Sequence, residues 1–200
     1  MRQLLICFST ILLFIVAPIW TGVHAQDKFH KGRLLVARPD MPDPRFTETV
    51  IFICRHDPSG AFGLVLNRPA GRIELSKLLD SIGENSVGIK GSVQIRLGGP
   101  VEMEMGFLMY ADELIKDEPI CNSHGVAVTS SEKVMKSLGS ADGPEKSVLF
   151  FGYTGWGPGQ LESELARKDW LIVSANRSIL FDNNLKGLWK RARNKHGINL

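Results

Sequence analysis

A chain of 200 residues, 44% hydrophobic and 22% charged, is long enough to bury one ordinary core and is compositionally neither disordered, collagen-like nor a long coiled coil. Twenty glycines and ten prolines favour a turn-rich, sheet-containing α/β or α+β domain, and three cysteines are too few for a disulfide-stapled miniature. A formal charge of +3 does not by itself imply a polyanion partner.

The N-terminus has the order of a secretory signal. Arg2 is followed by an apolar run from Leu4 to Trp20, and Val23-His24-Ala25 places small residues at a cleavage site. Residues 1–25 are therefore expected to be a cleaved signal and residues 26–200 a single exported domain. Two alternatives stay open: an uncleaved segment anchoring the chain to a membrane, and a cytoplasmic product started near Val23. Without the signal, Cys54 and Cys121 remain; Cys54, inside the run VIFIC, reads as a buried thiol.

Along the rest of the chain, residues 31–37 read as a first strand, and PDMPDPRF, with three prolines, as irregular. VIFICRH and AFGLVLN flank Asp57-Pro58-Ser59-Gly60 as a hairpin whose almost continuously apolar arms suit strands buried on both faces. Leu75, Leu78, Leu79 and Ile82 share a helical face stopped by Gly83. VQIRLGGPV and GFLMYA follow as strands. VAVTSSEKVMKSLG reads as strand, Ser130 or Ser131 cap, short helix and Gly139 stop. SVLFFGYTG is a further buried strand, Gln160–Lys168 a short helix, WLIVSAN and SILFD strands, and Asn184–Lys195 a closing helix.

No GxSxG, Walker, HExxH or GxGxxG motif is present. Cys54, His56, Cys121 and His124 have zinc-ligand chemistry, but their separation favours unrelated structural roles, so neither a metal nor a cofactor is expected. His56 and Asp57, with Asn67 and Asp43, could do acid–base work, although such residues at strand ends more often serve turns. In GYTGWGPGQLESE, Trp156 is expected to pack over the glycines and Gln160 to satisfy loop backbone groups. Glu162 and Glu164 in the first helical turns would repel a phosphate there. The terminal helix carries Lys186, Lys190, Arg191, Arg193 and Lys195, with no acid after Asp182. Trp189 and Leu185 would dock it. The cations read first as a solvated face, with Lys190, Arg191, Arg193 and Lys195 as possible polyanion contacts.

Several segments in order resemble the YqgE/AlgH family of bacterial proteins: LLVARPDMPDPRFTETVIFICRHDPSGAFGLVLNRP, LGGPV, GYTGWGPGQLESELARKDWL and WKRARNKHGI. The resemblance implies an α/β (α+β) single domain with a mixed, bifurcated β-sheet folded into a pseudo-barrel and flanked by helices. It implies no catalytic residue and no reaction. Family members typically begin near the first strand and look cytosolic, a pattern from which the signal-like extension departs.

The expected function is a non-enzymatic binding or regulatory module for an unknown small ligand or protein partner. Its candidate surface comprises Asp43, His56, Asn67, Arg68, Gly98, Gly99, Tyr153, Trp156 and Gln160, the distinctive Gly, Pro, Trp, Asn and Arg loops of the chain. The rivals are an enzyme with a polar site around His56 and Asn67, and a nucleic-acid-binding regulator using the terminal helix.

Overall fold

The computed structural model describes residues 29–111 and 118–196; the signal-like segment lies outside them. Among the described residues, ten strands form one branched sheet: β1 (Arg33–Ala37), β2 (Val50–Asp57), β3 (Gly60–Val65), β4 (Pro69–Glu74), β5 (Ser92–Leu97), β6 (Val101–Ala111), β7 (Cys121–Ser123), β8 (Val126–Thr129), β9 (Ser147–Trp156) and β10 (Trp170–Ser174). Five helices flank it: α1 (Leu75–Ser81), α2 (Glu132–Lys136), α3 (Gln160–Ala166), α4 (Arg177–Leu180) and α5 (Leu188–His196).

The main path runs β10-β1-β2-β3-β9-β6-β8-β7, and β9 is where the sheet divides. Its first half lies parallel to β5 and antiparallel to β6, whereas its end, Thr154–Trp156, pairs with β3. β5 carries β4 on its other side, and every pairing except β5–β9 is antiparallel. Gly98 and Gly99 make the split possible. A Cβ on Gly98 would collide with the Gly152 carbonyl oxygen, and one on Gly99 with that of Tyr153.

Because side chains alternate across a strand, the long apolar runs feed two layers at once. Leu34, Val36, Phe52, Leu64, Met109 and Phe150 point into the inner core that α4 and α5 complete. Leu35, Ile51, Ile53, Val65 and Trp156 face outward beneath α3 through Leu161. On the other branch, Leu108, Tyr110 and Leu149 face outward beneath α1 and α2.

The sheet curls without closing into a barrel, and a covalent bond does what hydrogen bonds do not. Cys54 is disulfide-bonded to Cys121, with Cα atoms 5.4 Å apart, so the expectation of a free buried thiol is overturned. The β2–β3 register shifts between Ile53 and Arg55, which leaves Cys54 as the extra residue of a bulge. β7, last on the path, is thereby pinned to β2. His124 Nε2 adds a contact to the Gly32 carbonyl at 2.8 Å.

Other local expectations are corrected. SILFD forms α4 instead of a strand, because the Asn176 side chain caps it by accepting from the Ile179 N–H at 3.0 Å. PDMPDPRF contains a 3-10 turn, Pro44–Phe46, initiated by Asp43. The closing helix starts at Leu188, four residues later than expected, since Asp182 and Gly187 (φ 75°) hold the preceding residues in a loop. β4 and β7, with little apolar signal, lie in segments that carried no strand expectation.

Candidate functional site

A cleft of about 560 Å³ opens between the 41–46 loop and the junction of β9 with α3. One wall follows from Asp43-Pro44-Arg45-Phe46. The Asp43 carboxylate accepts the Arg45 backbone N–H at 3.0 Å, and the Arg45 guanidinium grips it through Nε and Nη2, the latter at 2.7 Å. That guanidinium holds the Asp43 carboxyl below its usual value. Phe46 packs edge-on against Trp170, centroids 5.8 Å apart.

The other wall is organised by Glu164. Its Oε2 accepts the indole N–H of both Trp156 and Trp170, each at 2.8 Å, and its Oε1 accepts from Gln160 Nε2 at 3.1 Å. Gln160 Oε1 in turn accepts the Gly157 N–H at 3.1 Å, the loop-satisfying role expected of it. Trp156 is buried, as expected of a packing residue, yet its edge borders the cleft. At the rim, Arg167 grips Asp169 through Nε and Nη2 at 3.1 and 2.8 Å. Two guanidinium forks, each fixed by its own carboxylate, therefore flank an aromatic and proline-lined depression. Their Nε–Nη2 edges are taken by those carboxylates, so what each guanidinium can offer a ligand is its remaining N–H groups.

Of the residues expected at the site, Asp43, Trp156 and Gln160 line this cleft. The others are placed elsewhere. His56 is buried; its Nδ1 accepts the His30 N–H at 3.0 Å, and Nε2 lies 3.4 Å from Glu162. With Nδ1 so occupied, the ring proton sits on Nε2, and the enclosed ring offers no atom to a substrate. Asp57 turns inward to its own hairpin, accepting the Ser59 N–H at 2.8 Å. Asn67 bridges Glu48 and Val50, and Arg68 donates to the Thr47 carbonyl, so both tie down the loop before β2. Gly98 and Gly99 serve backbone packing, and Tyr153 stacks near Phe62 at 4.9 Å. Cys54 and Cys121 bond their sulfurs to each other, and among the described residues no group of three or more His, Cys, Asp or Glu could hold a metal ion.

The basic helix divides by role. Trp189 docks it, donating to the Ala37 carbonyl at 2.7 Å, and Arg193 lies 4.6 Å above the Trp189 ring. Arg191 is not a solvated cation; it binds Asp182 and the carbonyls of Asn184 and Lys186. Lys190 and Lys195 are exposed.

Sequence reasoning missed Arg45, Glu164, Arg167, Asp169 and Trp170. The available signal was Glu164 one helical turn after Gln160, between two tryptophans. It also missed Arg96, a fully buried guanidinium that donates to Gln94 and to the carbonyls of Leu66, Leu180 and Asp182. Burial pulls its pKa down to about 10, with Asp182 opposing the shift.

Comparison with known proteins places this chain in a family. A family profile described as AlgH-like matches residues 34–200. A UPF0301 protein from Caulobacter vibrioides is 42% identical over 86% of this chain and 89% of its own. One from Afipia carboxidovorans is 38% identical, covering 84% of each. The solution structure of the AlgH protein from Pseudomonas aeruginosa superimposes with a TM-score of 0.71 at 32% identity, over 86% of this chain and 92% of that one. A crystal structure from Corynebacterium diphtheriae, at 20% identity and a TM-score of 0.60, shares the fold. With its branched sheet and its sequence both matched, this chain belongs to the AlgH-like family.

Proposed function

We propose that this chain is a non-enzymatic binding module whose ligand occupies the cleft between the 41–46 loop and α3. One observation carries the reading: Arg45 and Arg167, each preset by a neighbouring carboxylate, flank walls built from Phe46, Trp156 and Trp170. A pocket of that size, with aromatic edges and several fixed charged groups of both signs, suits a small molecule or peptide end. The ligand class put to the test is an apolar or aromatic group joined to a carboxylate, the carboxylate meeting the N–H groups that Asp43 and Asp169 leave free on Arg45 and Arg167. The test is a thermal-shift screen of aromatic carboxylates and peptides ending in aromatic residues, on the wild type and on Arg45→Gln/Arg167→Gln. Compounds that raise the wild-type melting temperature and not that of the variant support the reading; stabilisation of both equally, or none, refutes it.

We also infer that the chain is exported. The Cys54–Cys121 bridge supports an oxidising compartment. Mass spectrometry of the native N-terminus tests this: a start just after Ala25 supports export, and a cytoplasmic protein starting near Val23 refutes it.

A further inference from the structure

We propose that a second cleft, separate from the first, binds the phosphoryl group of a small molecule. It measures about 410 Å³ and lies where the end of the β2–β3 hairpin meets the start of α5. The fold brings Arg68 from the loop after β3 together with Lys186 and Lys190 around it, more than a hundred residues away in the chain. Among the described residues, Glu48 is the one carboxylate on the lining.

Two observations give the cleft its anion preference. First, among the described residues no carboxylate pairs with Arg68, Lys186 or Lys190, whereas Arg45, Arg167 and Arg191 each have one. Three like charges around one concavity repel each other, and an anion seated among them removes that repulsion. Second, the guanidinium is held in place at the cleft wall. Arg68 Nη2 donates to the Thr47 carbonyl at 2.7 Å, and Asn67 fixes the same loop by bonding Glu48 and Val50. One guanidinium held by its loop and two exposed ammonium groups suit a phosphate dianion. The volume lies within the range of small-molecule pockets, which favours a phosphorylated metabolite over an extended strand. The site also relocates the polyanion contact expected of the terminal helix: Lys190 belongs to it, Arg191 and Arg193 hold the fold, and Lys195 is outside its lining.

The experiment is calorimetric titration of the full-length chain with pyrophosphate and, separately, with an eight-residue oligothymidylate. Saturable 1:1 binding of pyrophosphate is expected. Lys186→Gln and Lys190→Gln should each weaken it about tenfold, the loss of one charge-assisted hydrogen bond. Both side chains are exposed, so melting temperatures should hold; Lys195→Gln should bind as the wild type does. Arg68→Gln can loosen the 47–50 loop, so the lysine variants carry the test. The absence of saturable pyrophosphate binding overturns the proposal, as does an equal loss in Lys195→Gln. Tighter binding of the oligonucleotide, weakened by Lys195→Gln, overturns it in favour of a nucleic-acid face.

Discussion

Breaking the Cys54–Cys121 bridge should unfasten the end of the sheet and cost several kcal/mol. The two cysteines are 67 residues apart. The chain-entropy relation for a loop of that length gives about 4 kcal/mol at 25 °C. Hydrogen bonds contribute little to the same closure, because β7 has only three residues and pairs on one side with β8. Urea unfolding followed by tryptophan fluorescence, with and without dithiothreitol, reads the effect. At a slope of about 2 kcal/mol per molar urea, the midpoint should fall by about 2 M on reduction. Cys54→Ala/Cys121→Ala should unfold near the reduced wild type and ignore the reductant. Two free thiols in the unreduced protein, or coincident midpoints with and without reductant, would refute the idea that this bond closes the curl.

Three more outcomes follow from single side chains. Glu164→Ala leaves two largely buried indole N–H groups unpaired and should cost about 2–4 kcal/mol by urea unfolding, with Glu164→Gln retaining part of that. Arg96→Met strands the carbonyls of Leu66, Leu180 and Asp182 and should cost about 3–5 kcal/mol; Arg96→Lys should rescue it only partly, since an ammonium cannot span the same fork. Asp43 has a folded pKa lowered by Arg45, so its contribution is present above the ordinary value of 3.8 and is lost as pH falls through the lowered one. Hydrogen exchange at the Arg45 amide, compared between pH 5 and pH 2.5, should show the 41–46 turn loosening only at the acid end.

The sheet was legible in the sequence wherever burial on both faces left an unbroken apolar run. β2, β3 and β9 are such runs, and the turn chemistry of Asp57 to Gly60 made the first two a hairpin. β4 was not legible because PAGRIE is almost wholly exposed and is a strand only through its pairing with β5. SILFD misled because Ile179 and Leu180 are buried by α4, and a short apolar run does not distinguish one helical turn from a strand. The site was half legible. Trp156 and Gln160 stand out by composition, and Asp43 by its place before a proline. Arg45, Arg167 and Asp169 look like ordinary surface charge until the fold sets them around one cleft. His56, Asn67 and Arg68 drew attention for their chemistry, and they turn out to bond backbone atoms of neighbouring loops, His56 also lying beside the Glu162 carboxylate. The disulfide could not be read from spacing, because only the curl of the sheet brings β2 to β7.

The binding cleft is tested most directly by an indole footprint. Trp156 and Trp170 border the first cleft, and their N–H groups share Glu164; Trp189 borders the second and donates to Ala37. Titrating ¹⁵N-labelled protein with a stabilising aromatic carboxylate should therefore move the Trp156 and Trp170 indole signals and the Gly155 and Gln160 amides together, and leave Trp189 in place. Movement confined to Trp189, or a ligand that leaves both cleft indoles unshifted at saturation, would contradict the assignment of function to the Arg45–Arg167 cleft.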